Sequence, residues 1–353
     1  MTALLRPAYV LTFRDAEGAS GVAGIGSSGT VIRSVTSPGT STVRELRVEL
    51  GMDGAADRVV LDMGQVGSFR PAVGQQVTVE LGYTDGQDPQ QVTVARVVEA
   101  DPDLRTRRVV GLSAESLLRT SVDRTFEGAN AGSIVRELAQ AARVDVAQAD
   151  DGITFPAYVV DGRRSAYHHI GELAALCGFD RYLDDEGRVV FASFAGGRTT
   201  HVFEHGTHIL DVRVDRRPPV SGRVTVIGES PGAARGDVSW SWFARDLDAF
   251  TGRAGSGDPI LLLERSALRT STATRQAAQA ALTDLTRRTV TGELAVTGAP
   301  QVHLGDALRL SGVAEPGVDG TYQVRSVVHH IRKDTGFTTR VGFRSIETPG
   351  VGL

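Results

Sequence analysis

VGQQVTVELG at residues 73–82 and LGDALRLSG at residues 304–312 read alike: a glycine, a polar turn, then apolar residues alternating with polar ones. Alternation with a period of two marks a strand with one dry face and one wet face. The likeness continues down the chain. VTVARVV (92–98) matches YQVRSVV (322–328), and DLRTRRVVGL (103–112) matches DTGFTTRVGF (334–343). Gly74 aligns with Gly305 at an offset of 231 and Val97 with Val327 at 230, a slip of one residue. Any one pair of valine-rich strands could match by chance, but three in order at nearly constant spacing indicate a duplication. Each copy spells strand, turn-rich loop, strand, tight turn, strand, a meander that can close into a small barrel.

Around the first copy, Val43, Leu46, Val48 and Leu50 alternate with Arg47 and Glu49, and PAVG (71–74) and TDGQDPQ (84–90) supply turns. Helical spacing appears between the copies. Ser133 is placed as the cap of SIVRELAQAA, with Ile134, Leu138 and Ala141 on one stripe. Ser165 caps SAYHHIGELAALCG, which Gly178 stops, and Ala278, Leu282 and Leu285 form the apolar face of a helix over 272–288. The spacing also predicts strands at 188–194, 200–214 and 222–228, and the Gly-, Asp- and Ser-rich stretch 231–259 reads as an excursion. The expected fold is mainly β with an α+β middle, two related small β-barrel domains flanking short helices. The expected divisions are an N-terminal barrel over 1–112, an α/β middle over 113–196, and a C-terminal barrel over 197–353 carrying an insertion near 231–270 and the helix.

Composition narrows the function. The 353 residues carry 41% hydrophobic but only 6% aromatic residues and 41 glycines, a balance of turn-rich β protein. A net charge of −4 gives no general pull toward nucleic acid, and no long apolar run predicts membrane insertion. Lys333 is the one lysine among 38 basic residues, which fits GC-rich codon usage and also supplies bidentate contacts at interfaces. The single cysteine, Cys177, excludes a disulfide framework and a multi-cysteine zinc site, and its helical stripe makes it a packing residue. The start, MTALLRPAYVLTF, shows no signal-peptide pattern, so folding in a reducing cytoplasm is expected.

Several motifs imitate active sites. HVFEHGTH (201–208) contains His-x-x-Glu-His, which binds zinc only on a helix. Thr199, Thr200, Val202 and Phe203 favour a strand instead, turning at Gly206. In a strand His201 and His205 stand ~13 Å apart with Glu204 on the opposite face, too far to share an ion. GESPG (228–232) matches a nucleophile elbow, but Pro231 follows the serine and has no N–H for an oxyanion hole. GIGSSG (24–29) precedes a strand rather than the helix a dinucleotide site requires, and Asp334-Thr335-Gly336 falls in a hairpin turn. His168 with His169 and His329 with His330 are neighbours that face apart. No catalytic, cofactor-binding or metal-binding set emerges. Two other functions stay open, a zinc hydrolase through His201 and His205, and a cell-wall or carbohydrate binder using Trp240 and Trp242 as a platform.

Three segments carry a resemblance. GLSAESLLRTSVDRTFEGANAGSIVRELAQAARV (111–144) leads from strand to helix, SAYHHIGELAALCGFDRYLDDEGRVVF (165–191) joins a helix to a hairpin, and GAPQVHLGDALRLSG with GTYQVRSVVHHIRKDTGFTTRVGF closes a barrel. Together they resemble the late control D, or baseplate hub, family of contractile phage tails and injection machines, over most of residues 40–345. The resemblance implies a structural homotrimer joining a sixfold inner tube to a threefold spike at the tail baseplate. It implies inner tube proteins, other baseplate proteins and a spike on a separate chain as partners, assembly in a bacterial cytoplasm, and no cofactor.

Overall fold

The computed structural model describes residues 6–15, 30–34, 43–54, 56–64, 70–84, 88–229 and 250–346. GIGSSG, Pro231 and both tryptophans lie outside these residues. The first module contains β1 (Pro7–Arg14), β2 (Thr30–Arg33), β3 (Val43–Gly51), β4 (Arg58–Gly64), β5 (Gln76–Tyr83), β6 (Gln90–Pro102) and β7 (Thr106–Leu112). The middle follows with α1 (Glu115–Arg119), β8 (Arg124–Asn130), α2 (Ala131–Ala141), β9 (Val146–Ala149), β10 (Thr154–Val160), α3 (Ala166–Cys177), β11 (Asp180–Leu183) and β12 (Val189–Ala192). Next come β13 (Thr200–Glu204), β14 (Ile209–Arg216), β15 (Arg223–Ile227), β16 (Thr251–Gly255), β17 (Ile260–Glu264) and α4 (Ser271–Arg287). The chain closes with β18 (Val290–Thr297), β19 (Ala307–Ser311), β20 (Gly320–Arg332) and β21 (Gly336–Ser345).

Helix ends follow local chemistry. Ser165 Oγ accepts the His168 N–H, and Gly178 at φ 71° takes the left-handed stop that a side chain would resist. The second helix corrects the sequence reading. Asn130, not Ser133, is the cap: its Oδ1 accepts the Ser133 N–H at 2.7 Å, and Ser133 Oγ donates back to Asn130 O. The aspartate-like reach of the asparagine side chain starts the helix at Ala131. Thr270 likewise caps α4, whose first turn therefore starts a residue before 272.

The duplication is visible in the hydrogen bonds. Gly74 and Gly305 both lie at positive φ, 92° and 81°. Gly74 N–H donates to Val97 O at 2.8 Å and Val97 N–H to Gln75 O at 2.8 Å; Gly305 N–H donates to Val324 O at 3.4 Å and Val324 N–H to Asp306 O at 2.9 Å. Val97 therefore corresponds to Val324, not to Val327. Matching the letters VV overrode the turn that sets the register, an error natural in strands whose valines repeat. Cross-strand pairs agree: Val77 with Ala95 and Val79 with Thr93 become Leu308 with Tyr322 and Leu310 with Gly320. A bulge interrupts each long strand at the same place, between Val97 and Glu99 and between Val324 and Ser326.

Two more strands belong to the repeat. Leu46 and Val48 pair with Leu61 and Val59, which pair with Val109 and Gly111. Val212 and Val214 pair with Leu294 and Gly292, which pair with Val341 and Phe343. So β3 corresponds to β14 and β4 to β18. Even the in-strand ion pair recurs, Arg47–Glu49 at 2.6 Å and Arg213–Asp215 at 3.2 Å. β1 and β13 occupy matching places beside β5 and β19 but run in opposite senses, antiparallel and parallel.

The two modules form one 13-stranded sheet, because β3 also pairs with β20. One apolar cluster spans both, from Leu11, Phe13, Leu46 and Val48 to Val324, Val327 and Val341. A second cluster fills the middle, built on Ile134, Leu138, Phe155, Ile170, Leu173 and Phe191. Val224, Val226, Ala254, Leu268, Ala277 and Ala278 join this second core. The small sheet β16-β15-β17 and α4, expected as part of the C-terminal unit, thus pack with the middle: the alanine-rich face of α4 fits closely there, where Gly252 leaves no space for a Cβ beside Thr274.

Candidate functional site

His201 lies in β13, as the strand reading requires, and its Nε2 meets Asp306 Oδ2 at 2.9 Å. Asp306 is buried and also accepts the His303 N–H at 3.1 Å. The first copy repeats the second of these bonds, Ala72 N–H to Gln75 Oε1 at 2.9 Å. Asp306 and Gln75 are equivalent residues holding equivalent turns, and His201 braces one of them. His205 follows the strand and Gly206 turns the chain at φ 83°. Among the described residues, no three His, Cys, Asp or Glu side chains gather as metal ligands.

The remaining candidates are dispersed. His169 is buried with Nε2 3.1 Å from Asp161 O, while His168 lies on the exposed side near Arg164 and Glu172. His329 is buried against Thr339 Oγ1 at 3.0 Å, and burial drives its imidazole down to about 3. His330 points the other way and meets Glu45 at 2.7 Å. Cys177 Sγ accepts the Ile153 N–H at 3.4 Å, and burial pushes the thiol up to about 11, a packing group rather than a nucleophile. Asp334 and Gly336 sit in the β20–β21 turn, with Arg332 3.1 Å from Asp334. Gly228 and Glu229 follow β15; the serine and proline after them lie outside the described residues.

The strongest polar assembly was not legible in the sequence. Asp180 Oδ1 accepts from both Arg325 and Arg344, the latter at 3.3 Å, while Gln323 donates to Asp180 Oδ2. Arg344 also donates to Gln323 Oε1 and Asp284 Oδ1, each at 2.9 Å, and Arg325 to Asp53 Oδ2 at 3.0 Å. Burial raises Asp53, but the adjoining Arg325 more than offsets it and holds the carboxyl below its usual range. Asp53, Asp180, Asp284, Arg325 and Arg344 border a cleft of about 890 Å³ between α3, α4 and β17. They come from residues 53, 180, 284, 323, 325 and 344, so only the folded chain assembles them. The network keys the second barrel to the middle; it presents no nucleophile and base pair.

The other distinctive feature is the sheet edge. β21 lines one edge of β20 along nearly its whole length, while the opposite edge is shared by β19 at residues 320–323 and β3 at residues 326–332. Leu46, Val48 and Leu50 face Ile331, His329 and Val327 there, and the first two are fully buried. The equivalent strand, β6, has β5 along its first half and β7 along its second. Beyond Val97, its edge opposite β7 has no strand partner among the described residues. The same is true of the outer edge of β14, whose counterpart β3 is covered. A signal for this was present in LRVEL (46–50) and VRVDR (212–216), but the segment 217–289 changes the offset to 166 and hides it.

No protein-family model matches the sequence, and no curated protein matches it. Solved structures do. A 43 kDa tail protein of prophage MuSo2 from Shewanella oneidensis superposes with a TM-score of 0.68 at 14% identity, covering 95% of this chain and 98% of that one. A tail protein from Neisseria meningitidis gives 0.66 at 12% identity over 96% and 97%. A component of the type VI secretion system of E. coli gives 0.56 at 9% identity over 86% and 74%. The chain therefore has a mainly β, tail-hub-like fold, in agreement with the resemblance read from its sequence.

Proposed function

We propose that the chain is a structural, non-enzymatic hub of a phage-like tail baseplate, acting as three copies in a ring. The observation that carries this reading is the strand-by-strand equivalence of the two barrels. A chain that offers the same surface twice turns three copies into six similar surfaces, so one ring can meet a sixfold tube and a threefold spike. The likeness in fold to named tail proteins supports a tail location, and tube, spike and neighbouring baseplate proteins are the partners it suggests. On this reading the units are the two barrels and the middle over 113–196, with the segment 217–289 as an addition to the middle.

Symmetry matching requires no catalytic constellation: the chemistry it needs is the covering of strand edges and polar faces by neighbours. A native mass spectrum of the purified protein tests it. A metal-free trimer is the expected species. A monomer carrying one stoichiometric zinc would overturn the reading and return attention to His201 and His205.

A further inference from the structure

Resting on the ring reading, we infer that the junction between chains repeats the junction inside the chain: β14 of one copy adds to the open half of β6 in the next. Inside the chain, β3 adds to the second half of β20. β14 is the counterpart of β3, and β6 that of β20. Among the described residues, neither of these two counterparts has a strand on the corresponding edge, so they carry one filled junction and both halves of an empty one.

The internal register fixes the external one. Gly51 opposite Ser326, Leu50 opposite Val327, Glu49 opposite Val328 and Val48 opposite His329 become Arg217 opposite Glu99, Arg216 opposite Ala100, Asp215 opposite Asp101 and Val214 opposite Pro102. Charge supports the pairing. The open half of β6 and its turn carry Glu99, Asp101 and Asp103, all exposed, and the end of β14 with the residue after it carries Arg213, Arg216 and Arg217, also exposed. The one like-charged pairing, Asp215 with Asp101, has Arg213 3.2 Å from Asp215 to relieve it. Leu104, at the tip of the β6–β7 hairpin, is 94% exposed and adds apolar surface beside the edge.

The external ladder is shorter than the internal one. Met52 N–H donates to Arg325 O at 3.1 Å, so by alternation the N–H groups of Val327 and His329 face β3. Ala100 matches Val327, but Pro102 matches His329 and has no N–H to give. The junction between copies therefore closes with fewer bonds, which makes ring formation depend on concentration or on a partner that holds the copies together.

Disulfide trapping tests the register. A Cβ built on Gly51 lies 4.0 Å from Ser326 Cβ, within the separation a disulfide spans. Gly51→Cys with Ser326→Cys should therefore close within one chain, a check on the geometry. Glu99→Cys with Arg217→Cys in the full chain should, under mild oxidation, give covalent dimers and trimers and nothing larger on a non-reducing gel. Cys177 can stay, since its thiol is half-buried. Ala100→Cys with Arg217→Cys, slipped by one residue, should yield at least tenfold less. A trimer by native mass that fails to cross-link at 99 and 217, or cross-links equally when slipped, overturns this junction and leaves the ring standing. A monomer that never cross-links overturns both, and ladders running past three copies refute the closed ring.

Discussion

The two barrels share a backbone plan and differ in what surrounds it. Gln323, Arg325 and Arg344 of the second barrel reach Asp180 in a buried polar lattice. Their counterparts in the first are Arg96, Val98 and Leu112. Arg96 makes a 3.4 Å ion pair with Glu115 of α1, and Val98 and Leu112 line an open groove with Leu118 and Tyr167. One copy is locked to the middle by a buried charge lattice, the other by the Arg96–Glu115 ion pair and the bond from Gln91 to Asp185 O, beside an open groove. A duplicated plan thus diverges at positions facing the rest of the chain while hydrogen-bond geometry is kept within each barrel.

The comparison breaks most readily at the lock. Asp180→Asn leaves two guanidinium groups without their shared carboxylate and should cost ~3 to 5 kcal/mol, read as a lower denaturant midpoint; a change under 1 kcal/mol would mean the network is ornamental. Next comes Asp57, where the second barrel has Val290. Burial drives the Asp57 carboxyl up to about 7, although its Oδ1 accepts the Gly51 N–H at 2.8 Å. A raised folded value means that the stabilisation from holding the proton is complete below the unfolded value, 3.8, and is lost as pH rises through about 7. Asp57→Asn should therefore stabilise the protein at pH 8 by on the order of 3 kcal/mol and have little effect at pH 4. Melting curves at the two pH values decide it.

Smaller effects sharpen the contrast between filled and empty edges. Val48→Ala removes a side chain sealed at the internal junction and should cost about 2 kcal/mol; Val214→Ala, its exposed-edge counterpart, should cost roughly half that in a dilute sample. Equal losses in thermal melts would erase the distinction. Pro102→His installs the residue of the internal site and should strengthen the junction between copies by ~1 kcal/mol, a several-fold rise in trimer by analytical ultracentrifugation. Glu45→Gln, which breaks the partly exposed pair with His330, should change stability by less than ~1 kcal/mol.

How legible this was from the sequence depends on range. Strands, turns at Gly74 and Gly305, the Ser165 cap and the Gly178 stop are set by neighbouring residues, and periodicity exposes them. The Asn130 cap is hidden in the sequence because Ser133, three residues later, offers the same chemistry. The register error at Val97 arose where valines repeat and only a bond to a distant glycine chooses among them. The junction of β3 with β20 and the lattice around Asp180 join residues far apart in the chain, and no local pattern announces such pairs.

The bridge between β3 and β20 also orders events in time. β3 leaves the ribosome when β20 is still some 270 residues from being made, a delay on the order of tens of seconds. Through that interval an apolar strand waits with one side unsatisfied, guarded by Arg44, Glu45, Arg47 and Glu49 along its length. Until the last barrel begins, the first keeps that edge uncovered, and a truncated product would keep a sticky margin open to any strand nearby.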